Sequence, residues 1–143
     1  MNIEDNDEHV LYVGRFNPPH LGHMNIFEES LKLNRKICIA IRNMAISEKN
    51  PLPASTIENL WKKIYSDNPL VMVIVIPNIS SIKYGRNVGY DLEEIKVEQT
   101  IANISATEIR NSIAEGDDSW KKNVSPIIHK DLEELFKTEN IEA

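Results

Sequence analysis

The sequence predicts an α/β protein built on a doubly wound parallel sheet. Three observations predict it. Strand-like apolar runs alternate along the chain with amphipathic helix-like segments, the order that βαβ units produce. The run Leu70 to Ile76 is almost wholly apolar, as expected of a parallel strand covered on both faces. A loop bracketed by Gly14 and Gly22 directly follows the first strand, where such sheets place their ligands.

Taken in order, the first strand runs from His9 to Val13 and ends at Gly14. The loop Arg15 to Leu21 is broken by Pro18 and Pro19, and a helix follows with Met24, Phe27 and Leu31 as its apolar stripe. Lys36 to Ile41 is a second strand, and Arg42 to Pro53 a polar loop. Ser55 opens the second helix through an S-x-x-E capping box with Glu58, and Ile57, Leu60, Trp61 and Ile64 form its buried face. After the third strand, Ser81 to Tyr84 and Tyr90 to Val97 read as further short strands. Ser105 caps a third helix that Gly116 ends. Ser125 and Pro126 begin the last helix, with Leu132, Leu135 and Phe136 inward. Residues 1–8 are expected to form a flexible acidic tail, and 9–143 a single domain.

Composition narrows the function. A chain of 143 residues with 41% hydrophobic content can bury a core without staples. Its net charge of −6 argues against broad contact with nucleic acid, which needs a basic face. A polyphosphate remains compatible, because a few arginines and helix N-termini can hold one on an acidic protein. The longest apolar run is far too short to span a bilayer, and the acidic Met1 to Glu8 is the opposite of a signal peptide. The single Cys38 cannot form an internal disulfide and reads as a core thiol. These features fit a cytoplasmic protein with no membrane or nucleic-acid partner.

Two segments carry the chemistry. The first is Gly14-Arg15-Phe16-Asn17-Pro18-Pro19-His20-Leu21-Gly22-His23. His20 and His23, three residues apart at a helix start, can share one face beside the positive end of the helix. The second is Ile104-Ser105-Ala106-Thr107-Glu108-Ile109-Arg110, where Ser105 and Glu108 again make a capping box. Helix-end amides, the Thr107 hydroxyl and Arg110 can then face an anion. A zinc site built on His20 and His23 would need further ligands, and the sequence has no Cys or His at suitable spacing. The glycine-rich fingerprints of P-loop and dinucleotide-binding proteins are also missing.

The pair of segments resembles the H-x-G-H and I-S-x-T-x-x-R signatures of the nucleotidyltransferase superfamily of α/β phosphodiesterases. It is most similar to archaeal-type nicotinamide-nucleotide adenylyltransferases. The likeness runs from about Val10 to Phe136 and includes Asn50-Pro51, Val88-Gly89-Tyr90 and Trp120. It departs from that family at Asn17-Pro18-Pro19 and in a compressed stretch from Pro77 to Gly89.

The resemblance implies a Rossmann-like, three-layer α/β/α fold. It also implies transfer of AMP from ATP to nicotinamide mononucleotide by direct in-line attack, giving NAD and pyrophosphate. By the same resemblance, Gly14, Arg15, Phe16, Asn17, His20, Gly22, His23, Ile104, Ser105, Thr107 and Arg110 bind the nucleotide. His20, His23 and Arg110 act catalytically: His23 on the α-phosphate, His20 with Arg15 on the triphosphate, Arg110 with Thr107 on the β- and γ-phosphates. Mg²⁺ is expected through phosphate oxygens and water, without protein ligands.

An acceptor phosphate attacking as a dianion needs no general base, so catalysis reduces to positioning and charge neutralisation. Arg42, Asn43, Trp61 and Arg86 are candidates for the acceptor side. The competing readings are a solvated loop for Arg42 and Asn43, core packing for Trp61 and open solvent for Arg86. The expected partners are ATP and a phosphorylated small molecule, in a homo-oligomer. Three functions remain in play: NAD synthesis; the same mechanism with CTP and a polyol phosphate, or with ATP and a phosphopantetheine-like acceptor; and a non-catalytic nucleotide sensor.

Overall fold

A computed structural model describes residues 8–85, 89, 92 and 104–142. Three strands, β1 (His9–Gly14), β2 (Lys36–Asn43) and β3 (Val71–Pro77), form a parallel sheet in the order β1-β2-β3. They alternate with α1 (Leu21–Leu31) and α2 (Ala54–Ile64). Beyond them lie α3 (Ala106–Ala114), two 3₁₀ turns (Asp118–Asn123 and Pro126–Ile128) and α4 (His129–Glu142). The alternation and the parallel pairing are those of the Rossmann-like class.

Ile37, Ile39 and Ile41 point from β2 into one continuous core with Phe27, Ile57, Leu60, Trp61, Ile109, Trp120, Ile128, Leu132 and Phe136. All four helices therefore contribute to a single apolar cluster. A Lys63–Asp131 ion pair at 2.7 Å joins α2 to α4 at the surface. On the opposite face of the sheet, Leu11, Cys38 and Met72 lie in register. That face is less covered: Leu11 is 57% and Met72 47% exposed. The apolar run of β3 is therefore not buried on both sides. Half-buried and exposed positions mostly alternate along it, with Ile74 and Val75 both exposed.

Several boundaries move. β2 extends two residues further than its apolar run, because Arg42 and Asn43 pair with Ile76 and Pro77. Neither therefore belongs to the loop. The second helix starts at Ala54 with Pro53 as its N-cap, and Ser55 makes no cap. Pro53 already sits in extended conformation, and its carbonyl accepts from Thr56 and Ile57, which places Ser55 inside the first turn. Residues 81–84 carry no strand, and Ser125 with Pro126 opens a 3₁₀ turn before the α-helix.

His129 is half-buried. Its Nε2–H lies 2.7 Å from the Val124 carbonyl, and its ring packs against Trp120. The expected strand Tyr90 to Val97 and the candidate Arg86 lie outside the described residues. Among the described residues no helix is long and apolar enough to cross a membrane.

Candidate active site

Arg15 to His20 leave the carboxyl end of β1, and α1 begins with His20 as its N-cap. The cap is unusual in its chemistry. The Gly22 amide donates to His20 Nδ1 at 3.1 Å, and the His20 amide donates to His23 Nδ1 at 3.1 Å. Each histidine thus spends Nδ1 as an acceptor. A neutral imidazole that accepts at Nδ1 carries its proton on Nε2. The two rings stack with centroids 3.6 Å apart and planes 17° apart, so the tautomer arrives at the site as a matched pair of Nε2–H donors. The first-turn amides of Gly22, His23 and Met24 are all engaged with His20. Three of the helix-start amides are thus taken up by the cap itself.

Burial keeps both imidazoles uncharged. His20 is 7% exposed, and its pKa falls to about 4. His23 is pushed well below the ordinary value, first by burial and then by the charge its neighbour would carry. The folded-state pKa lies below the unfolded one, so folding stability is fully present above about pH 6.5 and is lost as pH falls toward 4. For His20 this is of the order of 3 kcal/mol. Protonation would also turn Nδ1 into a donor and break the cap. Denaturant unfolding at pH 7, 5.5 and 4 should show this loss. His20→Asn, which keeps a good N-cap, should lose less over the same range.

Two glycines have steric reasons to be there. A Cβ at Gly14 would stand 2.8 Å from the Phe16 ring, and one at Gly22 would stand 2.8 Å from His20 Cε1. Gly22→Ala is therefore expected to push the His20 ring out of its stack. The cost should be about 1–3 kcal/mol in unfolding free energy, with weaker nucleotide binding by calorimetry. Phe16, in left-handed backbone conformation at φ 52°, packs its ring against Phe27, Trp61 and His23. Its side chain belongs to the core, so only its backbone can approach a nucleotide.

The second segment arrives beside the first. Ser105 Oγ accepts from the Glu108 amide and caps α3, fulfilling the serine half of the expected box. The position of a Gly22 Cβ lies 3.5 Å from Ile104 Cβ. Arg110 Nη1 donates to the Asn17 carbonyl at 2.7 Å, across 93 residues of sequence, and Nη2 donates to Thr107 Oγ1 at 3.2 Å. Burial lowers the Arg110 pKa, as does the nearby Arg15 charge, while Glu48 opposes them. Arg15 and Arg110 thus stand as two cations near one another.

The structure brings together His20, His23, Arg15, Thr107 and Arg110, with Gly14, Gly22, Ile104 and Ser105 as their framework. It gives other candidates different work. The Asn17 side chain is consumed by a two-point clamp on Leu52, donating to its carbonyl at 2.8 Å and accepting from its amide at 3.2 Å. Trp61 is wholly buried against Phe16, Phe27, His23 and Tyr65, so the core reading holds and it cannot stack on a ligand. Arg42 Nη2 is tied to Asn78 Oδ1 and to the Ile79 carbonyl. Asn43 is exposed at the carboxyl end of β2. Sequence reasoning missed Glu48 and Asn50 as site neighbours. The Asn50-Pro51 pair before α2 was the available signal.

A parallel sheet whose first β–α loop sets paired Nε2–H donors beside a capped helix bearing threonine and arginine offers an anion several donors and a fixed positive charge. Residues 11–59 match the family described as Cytidylyltransferase-like. The chain is also 24% identical over 164 aligned residues to the Nicotinamide-nucleotide adenylyltransferase of Pyrobaculum arsenaticum, covering 93% of this chain and 92% of that protein. Both matches are to nucleotidyl-transferring enzymes, which is what this chain is similar to.

Proposed function

We propose that the enzyme transfers AMP from ATP to nicotinamide mononucleotide, forming NAD and pyrophosphate. The observation that carries this reading is the Arg110–Asn17 contact, which brings both signature segments to one mouth of the sheet. In the proposed reaction the acceptor phosphate attacks the α-phosphorus of ATP in line, the bond to the β-phosphate oxygen breaks, and pyrophosphate leaves. His23 and His20 direct their Nε2–H groups at phosphate oxygens. They stabilise the charge that builds up on them without themselves titrating near neutral pH. Arg110, Thr107 and Arg15 hold the departing phosphates. Mg²⁺ comes with the substrate as the metal–ATP complex, coordinated by phosphate oxygens and water.

Incubation with ATP and nicotinamide mononucleotide should yield NAD and pyrophosphate in equal amounts. No NAD at high enzyme concentration would remove this acceptor. The Cytidylyltransferase-like match over residues 11–59 favours one second reading, the same mechanism with CTP and a polyol phosphate. A screen of ATP and CTP against phosphorylated acceptors, read by pyrophosphate release, separates the two.

A further inference from the structure

Beyond the carboxyl ends of β1 and β2 lies a cavity of about 10 Å³ bordered by Arg15, Asn17, Arg42, Asn50 and Leu52. A space of this size holds about one oxygen atom with its hydrogen. Two of the residues bordering it carry a buried polar atom with no partner: Arg42 Nε and Asn50 Oδ1. Both orphans follow from how the rest of each side chain is spent. Arg42 gives Nη2 to Asn78 and Ile79. Asn50, 6% exposed, gives Nδ2 to Ser47 Oγ at 3.3 Å, and its amide also meets Ser47. What remains is one N–H donor and one carbonyl acceptor bordering the same small space. Buried donors and acceptors are rarely left unpaired in native proteins.

The chemistry of the pair is selective. A phosphate or carboxylate oxygen only accepts, so it would satisfy Arg42 and confront Asn50 Oδ1 with another acceptor. An ammonium only donates and would fail at Arg42. A hydroxyl does both, and so does the water that can stand in for it. Arg15, exposed at the same cavity, supplies a cation for an adjoining phosphate.

We infer that this cavity reads a hydroxyl group of the acceptor, which accepts from Arg42 Nε–H and donates to Asn50 Oδ1. Arg42 and Asn50 thereby select a ribose or polyol phosphate over its deoxy counterpart. The identity of the acceptor rests on the proposed transferase reading; the chemistry of the slot does not.

The test is calorimetric titration with two probe pairs. One pair is nicotinamide mononucleotide and its 2′,3′-dideoxy form; the other is glycerol 3-phosphate and propyl phosphate. In at least one pair the hydroxylated probe should bind about tenfold or more tightly. Arg42→Lys, which keeps the charge but removes Nε–H, should bring that ratio close to one while leaving the deoxy affinity unchanged. Asn50→Ala should do the same, and a melting curve for each variant shows that it is folded. A wild-type ratio near one in both pairs overturns the inference, as does a ratio that survives in both variants or the failure of all four probes to bind. Pyrophosphate release on the same samples reports separately on the reaction. Turnover with a ratio of one removes the slot and keeps the transferase, whereas a preserved ratio without turnover from any acceptor removes the reaction and keeps the slot.

Discussion

Replacing His23 by alanine is expected to lower kcat by about 10²–10³-fold, the usual cost of removing one donor aimed at developing charge. The argument begins with its tautomer. His23 Nδ1 is occupied by the His20 amide, so the ring has only Nε2–H to offer a phosphate. Alanine removes that donor and also leaves the His20 amide without its acceptor. The lost cap costs about 0.5–2 kcal/mol of stability. The two losses can be told apart. Asparagine at position 23 can accept from the His20 amide but cannot place a donor where Nε2–H stands. His23→Asn should therefore melt close to the wild type and still lose most of kcat. If His23→Asn keeps wild-type turnover, the role of His23 is capping alone.

Arg110→Ala is expected to weaken ATP binding by about tenfold to a hundredfold, as the loss of a charge-assisted contact does. Its guanidinium is already held by the Asn17 carbonyl and the Thr107 hydroxyl, with N–H groups left over for phosphate. This pre-positioning makes the fork matter as much as the charge. Arg110→Lys should recover only part of the affinity, because an ammonium cannot hold both anchors and a phosphate in one plane. Titration of each variant with ATP measures the effect. Equal binding by wild type and Arg110→Ala would place the triphosphate elsewhere. Relief of the repulsion between the two cations should partly offset the loss, since the Arg15 charge opposes the charge on Arg110.

Much of the site was legible because its residues are constrained by local rules. Gly14 and Gly22 mark places where a side chain has no room, and the structure supplies the obstructing rings, Phe16 and His20. Ser105 caps α3 as its spacing with Glu108 predicts. The bounds of β1, β2 and β3 moved by no more than two residues, since an apolar run is a property of neighbouring positions in the chain.

The misreadings came where a distant partner decided. Asn17 looked like a ligand residue, yet Leu52 takes its amide, 35 residues away. The Phe16 side chain looked available and is core, because it packs against Phe27, Trp61 and His23. Ser55 lost its cap because Pro53 had already closed the helix start.

By itself the sequence determined the order of β1, α1, β2, α2, β3 and α3, and which two short segments could meet a phosphate. These depend on backbone propensity, periodicity and residue type over a few neighbouring positions. Only the tertiary structure decided that the two segments do meet, that both imidazoles are neutral Nε2–H donors, and that Arg42 and Asn50 keep unpaired polar atoms beside a shared cavity. The physical reason is that hydrogen-bond satisfaction and desolvation depend on every group around an atom, and folding draws those groups from all along the chain.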